Sequence, residues 1–276
     1  MQILFLNILT DDSEIVSEDD RMFGDVHGYA GNMCMAFGPK NIAEVADAGF
    51  SSTKTLEYCA KAIANGQYDG VVIGGSATDI TRGQIIKSWQ KLVFTIIRLA
   101  HYNNIPVLGL CGGHQYGARA LTEHPDSVIK NPLGRNMGTS SLWRTSKGIA
   151  HPIFAGITNR TLFQWSHSCV VNRSMCKHEH FSLLASHPMS WCVAFQAGSF
   201  IGLQFHPEAS VFPLLHGVSF IKRLAESRKQ ALIEEGFVKD DSDFDRFMDE
   251  DITHAPEGLT IITNWMEMIR SGFFHK

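Results

Sequence analysis

The sequence predicts an α/β fold: a three-layer sandwich in which a central, mostly parallel sheet with antiparallel additions lies between helices. Three observations predict it. Through residue 122 or so, short apolar runs alternate with helical patterns, which is typical of parallel strands joined by right-handed crossovers. From about residue 133 to 205 the apolar runs become shorter and closer together, which favours antiparallel strands. Two apolar runs also end at a residue capable of chemistry, and open α/β sheets place their sites at such ends.

The chain opens with a predicted strand from Ile3 to Leu9. The acidic and then glycine-rich stretch from Asp11 to Pro39 lacks a clear period and is predicted to be an irregular loop near the sheet edge. Its segment from Gly24 to Gly28 contains one histidine and could line a pocket, although a structural loop is the favoured interpretation. Thr53 is the expected N-cap of a helix whose apolar stripe includes Cys59.

The next predicted strand, Asp69 to Ile73, is a buried apolar run that ends at Gly74-Gly75-Ser76. A long helix from Gln84 to Tyr102 follows, with apolar residues at helical spacing. The strand from Ile105 to Leu110 then leads into a second helix, which ends before Pro125.

The second half is predicted to contain short strands and one more long helix. The helix runs from about Ser210 to Glu235. The predicted strands are Asn136 to Trp143, Thr161 to Gln164, Cys169 to Val171, Phe181 to Ser186, Cys192 to Gln196 and Phe200 to Phe205.

Composition limits the function classes. The 276 residues include 24 Lys and Arg against 28 Asp and Glu, a net charge of −4, which does not suggest a nucleic-acid or membrane partner. No apolar run approaches the roughly 20 residues of a membrane helix. The apolar N-terminus has no basic region and is interpreted as a strand, not a signal peptide. Six cysteines at irregular spacing favour a reducing, cytoplasmic location.

The charge is unevenly distributed along the chain. From residue 237 to 276 there are nine acidic against four basic residues, a net of −5. We therefore predict a main domain over residues 1–235 and an acidic C-terminal helical extension over residues 236–276. The extension contains a possible amphipathic helix from Leu259 to Ile269. Packing on the core is favoured for it over a partner-docking or lid role.

The stretch around Cys111 carries the strongest functional signal. A buried strand ends at Cys111, two glycines follow at once, and a helix begins. Such a turn exposes the side chain at its apex and directs the following N–H groups and the helix N-terminus toward it. A thiolate there is stabilised, and an oxyanion that forms beside it finds donors.

A partner for this thiol follows a second strand. The run from Phe200 to Phe205 ends at His206, and Glu208 stands two residues later. A cysteine nucleophile needs a base, and the base needs a third group that fixes its tautomer and orientation. Each residue alone is more often structural, but the three together at strand ends predict a catalytic site.

These motifs in this order resemble the class I, triad-type glutamine amidotransferases. The resemblance rests on Gly74-Gly75-Ser76, on Cys111-Gly112-Gly113-His114-Gln115, on Ser166-His167 and on Gln204-Phe205-His206-Pro207-Glu208, and it covers about residues 1 to 225. It implies a flavodoxin-like fold and hydrolysis of the glutamine side-chain amide through a γ-glutamyl thioester. The ammonia released would supply a synthase.

The resemblance also implies residue roles. Cys111, His206 and Glu208 would form the triad, and the backbone N–H groups of Gly75 and Gly112 the oxyanion hole. Gln115 would contact the glutamine substrate, and the loop of Ser166, His167 and Ser168 would form part of the pocket wall, although His167 in a strand–loop junction is more often structural. A structural role is expected for His114. No cofactor is implied.

Two alternatives remain open at this point. The same triad could cleave a γ-glutamyl conjugate as a hydrolase or peptidase with a wider pocket. The chain could also be a non-catalytic regulatory subunit that kept the fold, although an intact triad disfavours this. The sequence has no P-loop signature, so an amidotransferase role would require a separate synthase. A metal at Cys176, His178 and His180 is disfavoured, because ligands at every second residue can meet zinc only on an extended chain and no second cluster accompanies them.

Overall fold

The structure, a computed structural model, describes residues 1–9, 26–48, 53–211 and 220–275. The strands within these ranges are β1 (Ile3–Asn7), β2 (Ile42–Asp47), β3 (Gly70–Ile73), β4 (Val107–Leu110), β5 (Val128–Lys130), β6 (Asn136–Ser141), β7 (Trp143–Arg144), β8 (Leu162–His167), β9 (Cys169–Val171), β10 (Ser182–His187), β11 (Ser190–Ala197) and β12 (Phe200–Leu203). The α-helices are α1 (Val26–Phe37), α2 (Thr53–Ala64), α3 (Ser88–Tyr102), α4 (Gly112–Thr122), α5 (Ser146–Ala150), α6 (Phe220–Ser227), α7 (Lys229–Glu234), α8 (Asp241–Arg246) and α9 (Gly258–Arg270).

The central sheet has the order β2-β1-β3-β4-β12-β11-β10-β7 in the described part of the chain. Neighbours from β2 to β12 pair in parallel, and those from β12 to β7 pair antiparallel. The apolar runs of β1, β3 and β4 are buried throughout, as expected of strands covered on both faces. The prediction of a mostly parallel sheet with antiparallel additions is confirmed.

Helices cover both faces of this sheet and produce two apolar cores. On one face, α2, α3 and α4 contribute the buried residues Leu56, Val93 and Tyr116. On the other face, α1 and α9 contribute Met33 and Trp265. The periods of α2 and α3 place their apolar stripes on the sheet side, so burial of these stripes holds the three layers together.

Helix α9 belongs to the stretch predicted as an acidic extension. Its Trp265 is fully buried and meets Phe37 of α1 edge to face, with ring centroids 5.9 Å apart. A Cβ at Gly70, the first residue of β3, would stand 2.8 Å from the Trp265 ring. This face of the core therefore depends on residues from near both chain termini. The division at residue 235 stays a prediction.

Several predicted elements differ from the structure. The stretch from Asp11 to Pro39 is not irregular where it is described, since residues 26–37 form α1, and β2 was not predicted. Residues 11–25, including Gly24 and Asp25, lie outside the described residues. Helix α3 begins at Ser88, four residues after the predicted start, because the side chain of Gln90 caps the backbone N–H of Lys87 at 2.7 Å.

The predicted helix from Ser210 to Glu235 is not continuous. A 3₁₀ turn occupies Pro207–Val211, residues 212–219 lie outside the described residues, and Arg228 interrupts the helix between α6 and α7 with φ −118° and ψ 13°. The predicted strands around residues 136, 161 and 169 also lie mostly outside the central sheet, which only Trp143, at the end of the first of them, joins as part of β7. They form two separate antiparallel pairs, β6 with β8 and β5 with β9. Among the described residues, no helix combines the length and apolarity needed to cross a bilayer.

Candidate active site

Three adjacent strands bring the predicted site residues together. β3, β4 and β12 lie side by side and parallel, with Ile73 opposite Gly109 and Leu110 opposite Leu203. Their carboxyl ends therefore meet at one edge, where an open α/β sheet presents its loops. Gly75, Cys111 and His206 all follow within three residues of these ends.

The elbow at Cys111 has the geometry that the sequence predicts. Cys111 has φ 48° and ψ −97°, a conformation that side-chain-bearing residues rarely adopt, and α4 begins at the next residue. Its backbone N–H donates to Leu203 O at 2.7 Å, which ties the turn to β12. The side chain is 6% exposed, and its Sγ lies 3.6 Å from Ser166 O.

The two glycines after Cys111 are required by close backbone approach. A Cβ at Gly112 would stand 2.4 Å from Ser76 N, and one at Gly113 would stand 2.3 Å from Ile73 O. Such distances are far below van der Waals contact. The N–H of Gly113 donates to Gly74 O at 2.9 Å. The elbow is thus in direct contact with the Gly74-Gly75 loop, as an oxyanion hole shared by the two would require.

His206 and Glu208 form a buried pair on the other side of the thiol. Nδ1 of His206 lies 2.8 Å from Oε1 of Glu208, and the two side chains are 6% and 2% exposed. His206 also forms a side-chain hydrogen bond with Cys111. Burial lowers the pKa of His206, but attraction to the charges of Cys111 and Glu208 and hydrogen bonds to both raise it, and the net result is a pKa well above its ordinary value.

The raised pKa favours an imidazolium at His206, between the Cys111 sulfur and the Glu208 carboxyl group. Such a group can later give its proton to a leaving amine. The Gly75 backbone adjoins it, because a Cβ there would lie 3.5 Å from Cε1 of His206. The structure therefore brings Cys111, His206, Glu208, Gly75 and Gly112 into one site.

Gln204 is a member of this site that the sequence analysis quoted without assigning a role. It is fully buried, and its Nε2 lies 3.6 Å from the Sγ of Cys111, where it donates a hydrogen bond. Its Oε1 accepts from Nε2 of Gln115 and from Nδ1 of His114, each at 3.2 Å. Burial lowers the pKa of His114 to about 3, so that ring is neutral and structural.

Tyr29 is a second member that the sequence analysis missed. Its hydroxyl donates to Oε1 of Glu208 at 2.8 Å and accepts from the backbone N–H of Gly75 at 3.0 Å. One signal could have found it: Tyr29, Met33 and Phe37 are spaced four residues apart, as on the apolar face of a helix, and all three are buried.

The predicted pocket-wall residues fall into two groups. Gln115 is joined to the thiol by Gln204, because Nε2 of Gln115 donates to Oε1 of Gln204, whose Nε2 donates to the Cys111 sulfur. Gln115 also donates to Cys169 O at 2.8 Å. Ser166 contacts Cys111 through its carbonyl oxygen. His167 is instead enclosed, with its ring nitrogens 3.1 Å from Cys169 O and 3.2 Å from Asn136 Nδ2. Burial lowers the pKa of His167 to about 3, which makes it a neutral structural group.

Ser168 is half-buried, and its carbonyl accepts from Asn131 N at 2.9 Å. The cluster around Cys176, His178 and His180 lies in and after a 3₁₀ turn at Arg173–Lys177. Within the described residues, no three His, Cys, Asp or Glu side chains are grouped so as to hold a metal ion.

Comparison with known proteins now adds the family. The sequence profile described as Glutamine amidotransferase class-I matches residues 42–222. The chain belongs to the class I glutamine amidotransferase family. The matched range includes Gly75, Cys111, His206 and Glu208, but leaves out Tyr29 and the whole of α9.

Two kinds of relative are similar in sequence. The GMP synthase (glutamine-hydrolyzing) of Helicobacter pylori is 27% identical over 139 residues, which are 50% of this chain and 24% of that protein. The imidazole glycerol phosphate synthase subunit HisH of Photobacterium profundum is 27% identical over 146 residues, 47% of this chain and 68% of that subunit. The match with GMP synthase thus spans about a quarter of that enzyme's length.

Solved structures agree on the fold. A glutamine amidotransferase from Thermotoga maritima superposes with a TM-score of 0.63 at 18% identity, covering 97% of this chain and 96% of that one. A second, from Methylobacillus flagellatus, has a TM-score of 0.59 at 15% identity, covering 97% and 94%. This amidotransferase-family chain therefore has the family fold over almost its full length.

Proposed function

We propose that the chain hydrolyses the side-chain amide of L-glutamine to glutamate and ammonia, with Cys111 as the nucleophile. The observation that carries the proposal is the hydrogen-bonded series Cys111, His206 and Glu208, buried at the carboxyl edge of β4 and β12. Family membership supports an amide substrate, and the relatives named as glutamine-hydrolyzing synthases support glutamine in particular.

The first half-reaction forms a thioester. The Cys111 thiolate attacks the amide carbon, and the carbonyl oxygen takes up the negative charge beside the N–H groups of Gly75 and Gly112. His206, held by Glu208, gives its proton to the amide nitrogen as the C–N bond breaks, so ammonia leaves and a γ-glutamyl thioester remains.

The second half-reaction restores the enzyme. His206 takes a proton from water while the water oxygen attacks the thioester carbon. The C–S bond then breaks, glutamate leaves, and the thiolate and imidazolium are re-formed. Gln204 supports both halves, because its Nε2 donates to the sulfur whenever the sulfur is negative. Gln115 and the backbone of Ser166 to Ser168 are proposed to line the glutamine pocket.

We propose that the ammonia is used by a separate synthase. HisH is named as a synthase subunit, and the GMP synthase relative is about four times as long as its match, so in both cases the similar region works within a larger enzyme. A cytoplasmic location is proposed from the six cysteines, all of which are free, as is usual in a reducing compartment.

The decisive experiment tests whether glutamine hydrolysis depends on Cys111 in particular. Purified protein is incubated with L-glutamine, and glutamate and ammonia are measured for the unchanged chain, Cys111→Ala and the control Cys34→Ala. Cys34 is half-buried in α1. Release that is lost in Cys111→Ala and kept in Cys34→Ala supports the proposal.

Covalent trapping tests the proposal even if the chain hydrolyses glutamine only when its synthase is bound. The diazoketone analogue of L-glutamine is added, and the modified residue is located by mass spectrometry. A Cys111 adduct supports the proposal. Absence of both release and adduct, together with amine release from a γ-glutamyl conjugate, would reject glutamine in favour of a γ-glutamyl hydrolase.

A further inference from the structure

The hydroxyl of Tyr29 occupies an unusual position between two parts of the proposed machinery. It joins Glu208, which orients the base, to Gly75, whose N–H is the proposed oxyanion donor. Tyr29 is 5% exposed and comes from α1, which precedes the range matched by the family profile. The contact spans 179 positions in the sequence, so it is a tertiary interaction formed only in the folded chain.

Chemistry fixes the direction of both hydrogen bonds. A backbone N–H only donates, so Gly75 faces a lone pair of the Tyr29 oxygen, and the Tyr29 proton points to Glu208. Burial, followed by the negative charge of Glu208, raises the pKa of Tyr29 well above its ordinary value, so the hydroxyl keeps its proton. In this state the single hydrogen of the Gly75 N–H is directed at the tyrosine oxygen.

A substrate oxyanion needs the same hydrogen. The donor of an oxyanion hole must point to the place where charge develops, and a donor already engaged by another acceptor must exchange partners or share. Tyr29 and the carbonyl oxygen of the substrate therefore compete for Gly75. Gly112 is in a different position, because it is the first residue of α4 and its N–H has no intrahelical acceptor.

The tyrosine ring has a dedicated place. A Cβ at Gly74 would stand 2.7 Å from Cε1 of Tyr29, so the ring fits only because residue 74 is glycine. The ring also packs against Phe5 of β1, with centroids 6.0 Å apart. Oε1 of Glu208 accepts from the Tyr29 hydroxyl and from Nδ1 of His206 alike, so the tyrosine and the base share one carboxylate oxygen.

We propose that Tyr29 is a positioning residue: its hydroxyl accepts from the Gly75 N–H before substrate binds and hands this donor over to the substrate oxyanion during the reaction. The inference rests on the proposed amide hydrolysis. Throughout the exchange Tyr29 keeps its bond to Glu208, so the base stays oriented while one donor changes acceptor. No covalent bond is formed or broken at Tyr29.

The test compares two reactions of Cys111 in Tyr29→Phe. Phenylalanine keeps the ring and removes the hydroxyl, which both accepts from Gly75 and donates to Glu208. Glutamine hydrolysis passes through an oxyanion, whereas alkylation by iodoacetamide joins the sulfur to a saturated carbon with loss of iodide and forms none. The ratio of the hydrolysis kcat to the alkylation rate constant thus cancels changes in the reactivity of the thiol. Because loss of the bond to Glu208 can only weaken His206 and lower the ratio, a rise in the ratio reports the oxyanion donor.

We expect this ratio to rise about fivefold in Tyr29→Phe, the effect of removing one competing hydrogen bond. The matched control is Tyr68→Phe. Tyr68 is also buried and donates to a carboxylate, that of Glu44, away from the site. The ratio for Tyr68→Phe should equal that of the unchanged chain. A ratio in Tyr29→Phe that is unchanged or lower overturns the inference.

A second measurement does not depend on turnover. Hydrogen exchange of the Gly75 amide should be at least about tenfold faster in Tyr29→Phe than in the unchanged chain or in Tyr68→Phe, because its acceptor is lost. Unchanged exchange would overturn the inference even in an active enzyme. If both proteins alkylate at Cys111 but neither hydrolyses glutamine nor forms the diazoketone adduct, the proposed function fails and the handover fails with it. An equal ratio in two active proteins rejects the handover alone.

Discussion

The two sides of the candidate site are built by different means. On the side of the thiol, backbone determines the geometry: parallel strands in register, a strained turn, and glycines that let main chains touch. On the side of the base, side chains and distant segments determine it. Tyr29 bonds Glu208 from α1, and the C-terminal part of the chain packs on the turn at Pro207–Val211 through Ser210 and Gly258.

The two sides are therefore sensitive to different kinds of substitution. Backbone atoms in close contact cannot rotate away from an added group, so a single added methyl group is enough to disrupt the thiol side. Side-chain contacts are several and separable, so the loss of any one contact on the base side other than that of Glu208 itself should be partial.

Gly113→Ala should have the largest effect. The new Cβ would stand 2.3 Å from Ile73 O, a backbone atom that cannot turn aside. We expect at least about 3 kcal/mol of lost stability and no measurable glutamine hydrolysis, because overpacking moves the elbow away from Gly74. Chemical denaturation and an ammonia assay measure the two effects.

Gly31→Ala is the matched control, since a Cβ there meets nothing within 4 Å. It should leave activity unchanged and stabilise α1 slightly, by about 0.5–1 kcal/mol. Equal effects of the two alanine variants would contradict a thiol side governed by backbone contact.

Glu208→Gln should reduce kcat about a thousandfold while the chain stays folded, because the amide cannot hold the imidazole in its tautomer and charge state. It should also change the pH profile. Glu208 is among the groups that raise the pKa of His206, so its neutralisation lowers that pKa. His206 then loses its proton at lower pH, and the alkaline limb of kcat against pH moves down.

A pH–rate profile of Glu208→Gln beside the unchanged chain measures this shift. The control is Asp79→Asn, which also removes a partly buried carboxylate charge. Asp79 pairs with Lys130, with Nζ and Oδ2 2.8 Å apart. An alkaline limb that stays in place in Glu208→Gln would show that Glu208 does not set the charge of the base.

Gln204→Leu should have an intermediate effect. It removes the donor to the Cys111 sulfur and leaves Nε2 of Gln115 and Nδ1 of His114 without their shared acceptor. We expect kcat to fall about tenfold and stability to fall by about 1–3 kcal/mol, the cost of an unsatisfied buried polar group. Gln196→Leu, at a partly exposed position of β11, is the control.

Steady-state kinetics and chemical denaturation should show a larger loss of kcat and of stability for Gln204→Leu than for Gln196→Leu. If Gln196→Leu lowered kcat as much as Gln204→Leu, the bond to the sulfur would have no special role.

Ser210→Ala should have the smallest effect. It removes the 2.6 Å hydrogen bond from Ser210 Oγ to Ala255 O, which joins the base-side turn to the segment before α9. We expect about 1 kcal/mol of lost stability and a kcat within about twofold of the unchanged chain. Ser271→Ala, which removes a bond to Met268 O at the far end of α9, is the control. A tenfold loss of kcat in Ser210→Ala would show that the base side is as intolerant as the thiol side.

The sequence predicted the thiol side better than the base side for a physical reason. The elbow is local: an apolar strand, a cysteine and two glycines within a short stretch define it, and adjacent strand ends bring Gly75 and His206 to it. The spacing of Tyr29, Met33 and Phe37 could have indicated a buried Tyr29, but not its role, because its partner lies 179 positions later; the helix also contains Gly31, a residue that weakens helical propensity. Likewise, Leu259 to Ile269 was predicted as a helix, but its place in the core depends on Phe37 and Gly70, which no local pattern connects to it.

The conformation of Cys111 has a consequence for engineering the protein. With φ at 48°, residue 111 has a backbone conformation that glycine adopts without strain, whereas any residue with a side chain is strained there by about 1–3 kcal/mol. Cys111→Gly should therefore melt at a higher temperature than the unchanged chain even though it has lost the sulfur. The chain carries the less stable residue at its nucleophile position, and the heat-resistant, inert glycine variant would be a suitable bait for capturing both the amide substrate and the synthase without turnover.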